Sequence, residues 1–198
     1  MKKVYFVQRL FAYMIDMLII SLVSSLLISF IPVSEAYKLA GERLEKEYVD
    51  LIQNTETEDL MKKVNDIQED AYIVGKSQSL LQLIEVVIYI IYFGVVQFYL
   101  GGSSLGKKVS KIKIVGLDGK EVSQNKLLFR TIINYTIYIN VIEVFIYYLV
   151  PSSIFLYVLF PFTMIGSLYS IVNLFMVLFK KDGRGLTDII CKTKVTSA

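Results

Sequence analysis

Between Phe6 and Phe30 only two side chains carry a charge: Arg9 at the entrance of an otherwise apolar run, and Asp16 within it. The run is longer than the ~20 residues a helix needs to cross a bilayer. Arg9 and Asp16 are seven residues apart, about two turns at roughly 3.6 residues per turn, so both leave nearly the same face. A carboxylate inside hydrocarbon costs a few kcal/mol or more unless it is paired, protonated or wetted. The spacing therefore predicts a membrane helix whose charged face is turned into protein, with Asp16 partly answered by Arg9.

Three further apolar runs follow, Leu80 to Leu100, Leu127 to Val150 and Ile154 to Phe179, each near or above the length of a crossing. With 55% hydrophobic residues the chain exceeds the ~45–50% usual for globular proteins. The expected fold is an all-α membrane protein of four transmembrane helices. Its segments are the N-terminus and first helix (1–31), an external acidic helical hairpin (32–79), the second helix (80–100), a basic loop (101–126), the third helix (127–150), the fourth helix (151–179) and a tail (180–198). The first run is too long and too charged for a signal-peptide core and is expected to stay in the mature protein.

Charge sets the orientation. Residues 101–126 carry six lysines against Asp118 and Glu121, and residues 179–198 carry five positive charges against Asp182 and Asp188, whereas residues 32–79 carry six positive and eleven negative. The positive-inside rule places both termini and the basic loop in the cytoplasm and the acidic segment outside, in the cytoplasmic membrane. The net +3 fits anchoring beside anionic lipid. The partners expected are thus the lipid bilayer and either another membrane protein or a second copy, with no nucleic acid.

In the acidic segment, Tyr37, Ala40, Leu44, Tyr48 and Leu51, then Leu60, Val64, Ile67, Ala71 and Val74, recur at helical steps, which predicts two antiparallel amphipathic helices. Ser34 can cap the first, and Thr55 to Glu58 has the form of a capping box for the second. The apolar stripes either bury against each other or form a lid or partner surface. Ser21, Ser25 and Ser29 make a small-residue stripe suited to close helix packing or to a polar path. Beyond the second run, Gly101 to Lys108 nearly spells a phosphate-binding loop. It lacks the final hydroxyl residue and the strand-to-helix setting, so no nucleotide is expected. Lys111 to Val115 alternates with period two and, after the Asp118-Gly119 turn, meets Glu121-Val122 in a small β-hairpin. Its edge could be covered by the tail, Cys191 to Thr196.

Glu85 in the second crossing and Glu143 in the third fall in one outer depth layer. If they face each other, one is raised in pKa and can exchange a proton or cation; if each faces a tyrosine or a headgroup, they do nothing. With Asn134, Asn140 and Asn173 they outline an ion pathway. Pro161 and Gly166 are expected to break the fourth crossing. No histidine occurs and the one cysteine, Cys191, has only lysines beside it, so no enzyme, no metal and no cofactor are expected.

Three stretches, Arg9-Leu-Phe-Ala-Tyr-Met-Ile-Asp16, Gly102-Ser-Ser-Leu-Gly106-Lys-Lys with the hairpin after it, and Arg184-Gly-Leu-Thr-Asp188-Ile-Ile-Cys-Lys-Thr193, together resemble the RDD family of bacterial membrane proteins, named for an arginine and two aspartates. The second family aspartate matches Asp188, with Asp118 the alternative. Thr187 stands where members often carry a histidine. The resemblance implies ion or small-solute transport, or an accessory role beside other membrane proteins. Two functions are carried forward: cation or small-solute transport coupled to the intramembrane carboxylates, or a non-enzymatic accessory or resistance subunit whose external hairpin binds a membrane partner or cationic peptide. Arg9, Asp16, Arg130 and Asp188 are expected to form one charged cluster that locks the tail to the first helix.

Overall fold

The structure, a computed structural model, describes residues 4–53 and 60–198. The N-terminal run forms α1 (Phe6–Ile28). An amphipathic helix α2 (Glu35–Gln53) turns back into α3 (Leu60–Tyr89), which passes through a π-helical segment (Ile90–Val96) into a last turn, α4 (Gln97–Tyr99). A short α5 (Leu105–Val109) and strand β1 (Ile112–Gly116) lead to α6 (Gln124–Asn134) and α7 (Ile137–Leu149). The long α8 (Phe155–Phe179), the single-turn α9 (Leu186–Ile190) and strand β2 (Thr193–Ser197) complete the chain.

Among the described residues, three helices are long and apolar enough to cross a membrane: α1, the continuous helix from Asn65 to Tyr99, and α8. The pair α6 and α7, bent by 60°, passes the same test as a unit and brings the number to as many as four. Only 6% of the most apolar stretch of α8 and 22% of that of α1 is buried inside the protein. Continuous apolar surface of this kind is unstable against water and suits hydrocarbon. The face that α1 turns inward is a four-residue ridge of Ala12, Asp16, Ile20 and Ser24. The stripe expected for packing, Ser21, Ser25 and Ser29, is exposed instead, because burying Asp16 with its ring of donors fixes the rotation of the helix.

The helical hairpin is present, but its second arm is not separate from the next crossing. One helix runs through the expected boundary at residue 79, since a change from polar to apolar side chains breaks no backbone hydrogen bond. Ser34 caps α2 by accepting from the Tyr37 amide; the second cap, at Thr55 to Glu58, falls outside the described residues. Ala40 and Ile67 are buried between the arms, and Arg43 grips the buried Asp70 with two hydrogen bonds. Farther along, α3 lies on α7: Gln68 donates to the Ser152 carbonyl, and Tyr72 to that of Tyr147. A Cβ at Gly75 would collide with the Tyr147 ring.

The break in the chain's last third is also displaced from its expected place. α8 continues through Pro161, although a proline inside a helix forfeits one backbone hydrogen bond. The kink lies between α6 and α7, where Thr136 takes φ 49° in the left-handed region, a conformation costly for a β-branched residue. Finally, β1 pairs antiparallel with the tail, Ile112 opposite Ser197 and Gly116 opposite Thr193. The expected hairpin partner, Glu121-Val122, is no strand. Val122 packs with Ile114 and Leu127 under the sheet, and the chain turns into α6 right after it, with Ser123 as the N-cap, which leaves no length for a second strand.

Candidate functional site

Where the N-terminus meets the tail, a cavity of about 480 Å³ is lined by α1, the π-helical segment, α4, α5, α6, α8, α9 and both strands. Five ionic side chains line it: Arg9, Asp16, Lys107, Arg130 and Asp188.

Asp16 is 1% exposed and surrounded by neutral donors. Its Oδ1 accepts from the Tyr92 hydroxyl at 2.7 Å and the Gly106 amide at 2.8 Å, and its Oδ2 from the Ser104 hydroxyl at 2.5 Å. Each donor has a local cause. The π-helical segment buries Tyr92, Phe93 and Gly94 in succession, which a regular α-helix with one inward face cannot do, and so aims Tyr92 at α1; such bulges frequently mark functional positions. Ser104 is the N-cap of α5, and Gly106 presents an unpaired first-turn amide, a place where negative charge is favoured. Gly106 must be glycine: a Cβ there would run into the Ala12 carbonyl and the Asp16 carboxylate.

Asp188, 2% exposed, is held by charge. Arg9 Nη1 lies 3.0 Å from its Oδ2, and Arg130 Nη1 2.7 Å from its Oδ1. The same carboxylate accepts from the Gly185 amide at the start of α9, so α1, α6 and the tail meet on one side chain. Burial pushes its pKa up, but Arg130 and then Arg9 outweigh that and keep it below the usual carboxylate range. Arg130 also donates to Thr193 of β2. Next to Asp188, the Thr187 hydroxyl contacts Tyr169 at 2.6 Å and donates toward Asn134 and Asn173, while its amide donates to Asn173 Oδ1 at 3.0 Å. Cys191, behind this network, is buried, which pushes its thiol pKa up.

The third cation is Lys107. Its Nζ donates to Gln97 Oε1 at 3.0 Å and to Ser104 Oγ at 3.3 Å, and sits 5.1 Å above the Phe93 ring. Burial draws its pKa down to about 8, against the pull of Asp16.

Arg9, Asp16, Arg130 and Asp188 thus share one cavity, but the pairing differs from the one the spacing suggests. Both arginines end on Asp188, and among the described residues neither pairs with Asp16, whose oxygens are already filled by α5 and Tyr92. The residues of the expected ion pathway are separated. Asn134 and Asn173 line the cavity, while Glu85, Glu143 and Asn140 do not; Glu143 accepts from Gln82 at 2.7 Å and Glu85 is turned to the exposed surface. Tyr92, Gln97, Lys107 and Thr187 make contacts in the site that spacing alone does not single out. Only the Gly102 to Lys108 stretch signalled where two of Asp16's donors lie.

The chain matches the family model described as RDD family over residues 4–192, nearly its whole length. It belongs to that family. No curated protein and no solved structure matches it.

Proposed function

We propose that this RDD family membrane protein uses the charged cavity to bind a small solute and pass it across the membrane, without catalysing a reaction. The observation that carries the reading is the convergence of five ionic side chains from α1, α5, α6 and α9 on one cavity beside apolar helices. Building such a site in or beside hydrocarbon is costly, and charge retained there marks a ligand or ion path by default. In this reading the bent pair α6 and α7 is one crossing, four crossings are made, and both termini and the cavity lie on the cytoplasmic side of the cell membrane, which the lysine distribution supports. Solute passage is favoured over a cation relay because Glu85 and Glu143 do not line the cavity. The protein reconstituted in vesicles, tested with sodium, potassium, chloride and phosphate gradients, should dissipate at least one of them, and Asp16→Asn should slow that dissipation. Gradients that persist with the wild-type protein overturn transport.

A second reading, an accessory subunit gripping a membrane partner through the hairpin, draws on one observation. Because α3 runs unbroken from the hairpin into the membrane, a load on the hairpin is passed rigidly to the bundle. The exposed Glu42 and Glu45 on α2 would then meet a basic partner. Glu42→Lys with Glu45→Lys should abolish co-purification of that partner and leave vesicle transport unchanged.

A further inference from the structure

The cavity has a side entrance. Leu10 and Tyr13 of α1, and Ser170 and Leu174 of α8, line it and are at the same time exposed on the outside of the protein, Leu10 at 42% and Leu174 at 47%. A residue that does both stands at a mouth. α1 packs against α3 and α5, and α8 against α3, α7 and α9, so the mouth opens between α1 and α8. It lies about one to two and a half turns inside the end of each helix, on the two apolar surfaces that have the least protein around them. A soluble ion would have to cross hydrocarbon to use this entrance. A lipid headgroup is already there.

The charge behind the mouth selects the headgroup. Arg9, Lys107 and Arg130 face only two carboxylates, Asp16 and Asp188, which leaves one positive charge without a counter-ion in the lining. One donor is also left over: Arg9 Nε is buried and has no acceptor in the protein, although an unmade hydrogen bond of a buried charged group is expensive. Guanidinium groups present several donors in a fork that matches phosphate oxygens, and an ammonium adds a point charge.

We infer that the cavity receives the phosphodiester headgroup of an anionic membrane phospholipid, which enters sideways between α1 and α8 and leaves its acyl chains in the bilayer. The phosphate oxygens accept from Arg9 Nε and neutralise the surplus cation, with Lys107 and Arg130 as the other charged walls. This rests on the reading of the cavity as a binding site and adds the class of ligand; headgroup binding is measured at equilibrium and transport as a flux, so either can fail alone.

The chain has no tryptophan, so one can be added as a reporter. Leu10→Trp places it at the mouth, and Leu168→Trp, exposed on α8 but outside the cavity lining, serves as the control. Each variant is reconstituted in phosphatidylcholine vesicles in which the phosphatidylcholine or a small fraction of phosphatidylglycerol carries brominated chains that quench tryptophan. At position 10, brominated phosphatidylglycerol should quench at a severalfold lower mole fraction than brominated phosphatidylcholine, and at position 168 the two should quench alike. In the Leu10→Trp background, Lys107→Gln should raise the half-quenching fraction of phosphatidylglycerol about fivefold, the effect of one basic side chain beside anionic lipid, and Lys107→Arg should restore it. Equal quenching by the two lipids at position 10 overturns the inference, as does an equal preference at both positions, which would mean surface lipid only. Loss of the preference when inorganic phosphate is added overturns it too, in favour of a soluble anion. If Lys107→Gln does not fold, the comparison of positions 10 and 168 still decides.

Discussion

Asp16 and Asp188 are two carboxylates buried to the same extent in the wall of one cavity, yet the protein answers their charge by opposite means. Asp16 is enclosed by a tyrosine hydroxyl, a serine hydroxyl and a backbone amide; Asp188 lies between two arginines. A cage of neutral donors leaves no second buried charge behind if it opens. A clamp between cations does: without the carboxylate, Arg9 and Arg130 would face each other across a desolvated gap, and an uncompensated buried charge is far costlier than a lost hydrogen bond. Asp16 fastens α5 to α1 locally, whereas Asp188 fastens the tail to α1 and α6 at once. The contrast predicts unequal consequences for the same chemical change.

The largest effect is expected from Asp188→Asn. It should lower stability in detergent by about 3–5 kcal/mol, the usual cost of removing one partner from a buried ion pair. It should also undock the tail. Cys191, the only cysteine, is buried with a raised thiol pKa and should react slowly with a maleimide in the wild-type protein and many times faster in the variant. Acid should reproduce the same loss. Because the native pKa of Asp188 lies below its ordinary 3.8, the clamp contributes in full above that value and is lost as pH falls below 3.8 through the lower native one. The variant should lack this acid limb. Equal stability of Asp188→Asn and the wild type would show that the clamp does not hold the tail.

Asp16→Asn should cost less, about 1–3 kcal/mol, because an amide oxygen can still accept from Tyr92 and Gly106 while only the Ser104 contact is turned the wrong way. Maleimide labelling of Cys191 should stay slow. Gly106→Ala should cost a similar amount, about 1–3 kcal/mol as overpacking typically does, since the new methyl group meets the Ala12 carbonyl. If Asp16→Asn exposes Cys191 as fast as Asp188→Asn does, the two carboxylates form one unit and the contrast between them fails.

Local patterns carried much of this fold. Length and apolarity marked α1 and α8, period-two alternation marked β1, and the seven-residue step between Arg9 and Asp16 put both on the inner side of α1. Choices among distant partners were not written in those patterns. Arg9 is in reach of either aspartate by spacing alone, and it is the packing of α9 against α6 and α8 that delivers Asp188 to it. Alternation at Lys111 to Val115 marked a strand without fixing its partner; the chain enters α6 right after Val122, and the edge of β1 is taken by the tail. Proline misled for a related reason. α8 runs on through Pro161, while the real kink at Thr136 has neither proline nor glycine to announce it. Nor does any residue type announce the π-helical segment that brings Tyr92 to Asp16.

The smallest effect concerns the cation that neither aspartate pairs with. Burial brings the native pKa of Lys107 down from 10.5 to about 8, the reverse of a lysine that gains an acidic partner. Below pH 8 both native and unfolded chains carry the proton, and the cost of burying the ammonium is constant. Between about pH 8 and 10.5 the unfolded chain keeps a proton that the native chain has released, so the unfolded state binds more protons and stability rises with pH. Lys107 keeps part of its side chain exposed, which reduces the gain to the order of 1 kcal/mol. Tyrosines begin to ionise at the top of this range, and the chain has fourteen, so the readout is the difference between wild type and Lys107→Gln, followed by thermal unfolding from pH 7 to 10. That difference should tilt toward the wild type as pH rises. A flat difference would mean that Gln97, Ser104 and Asp16 keep the ammonium charged, and the cavity would then have three settled cations instead of two clamped by Asp188 and one that can be discharged.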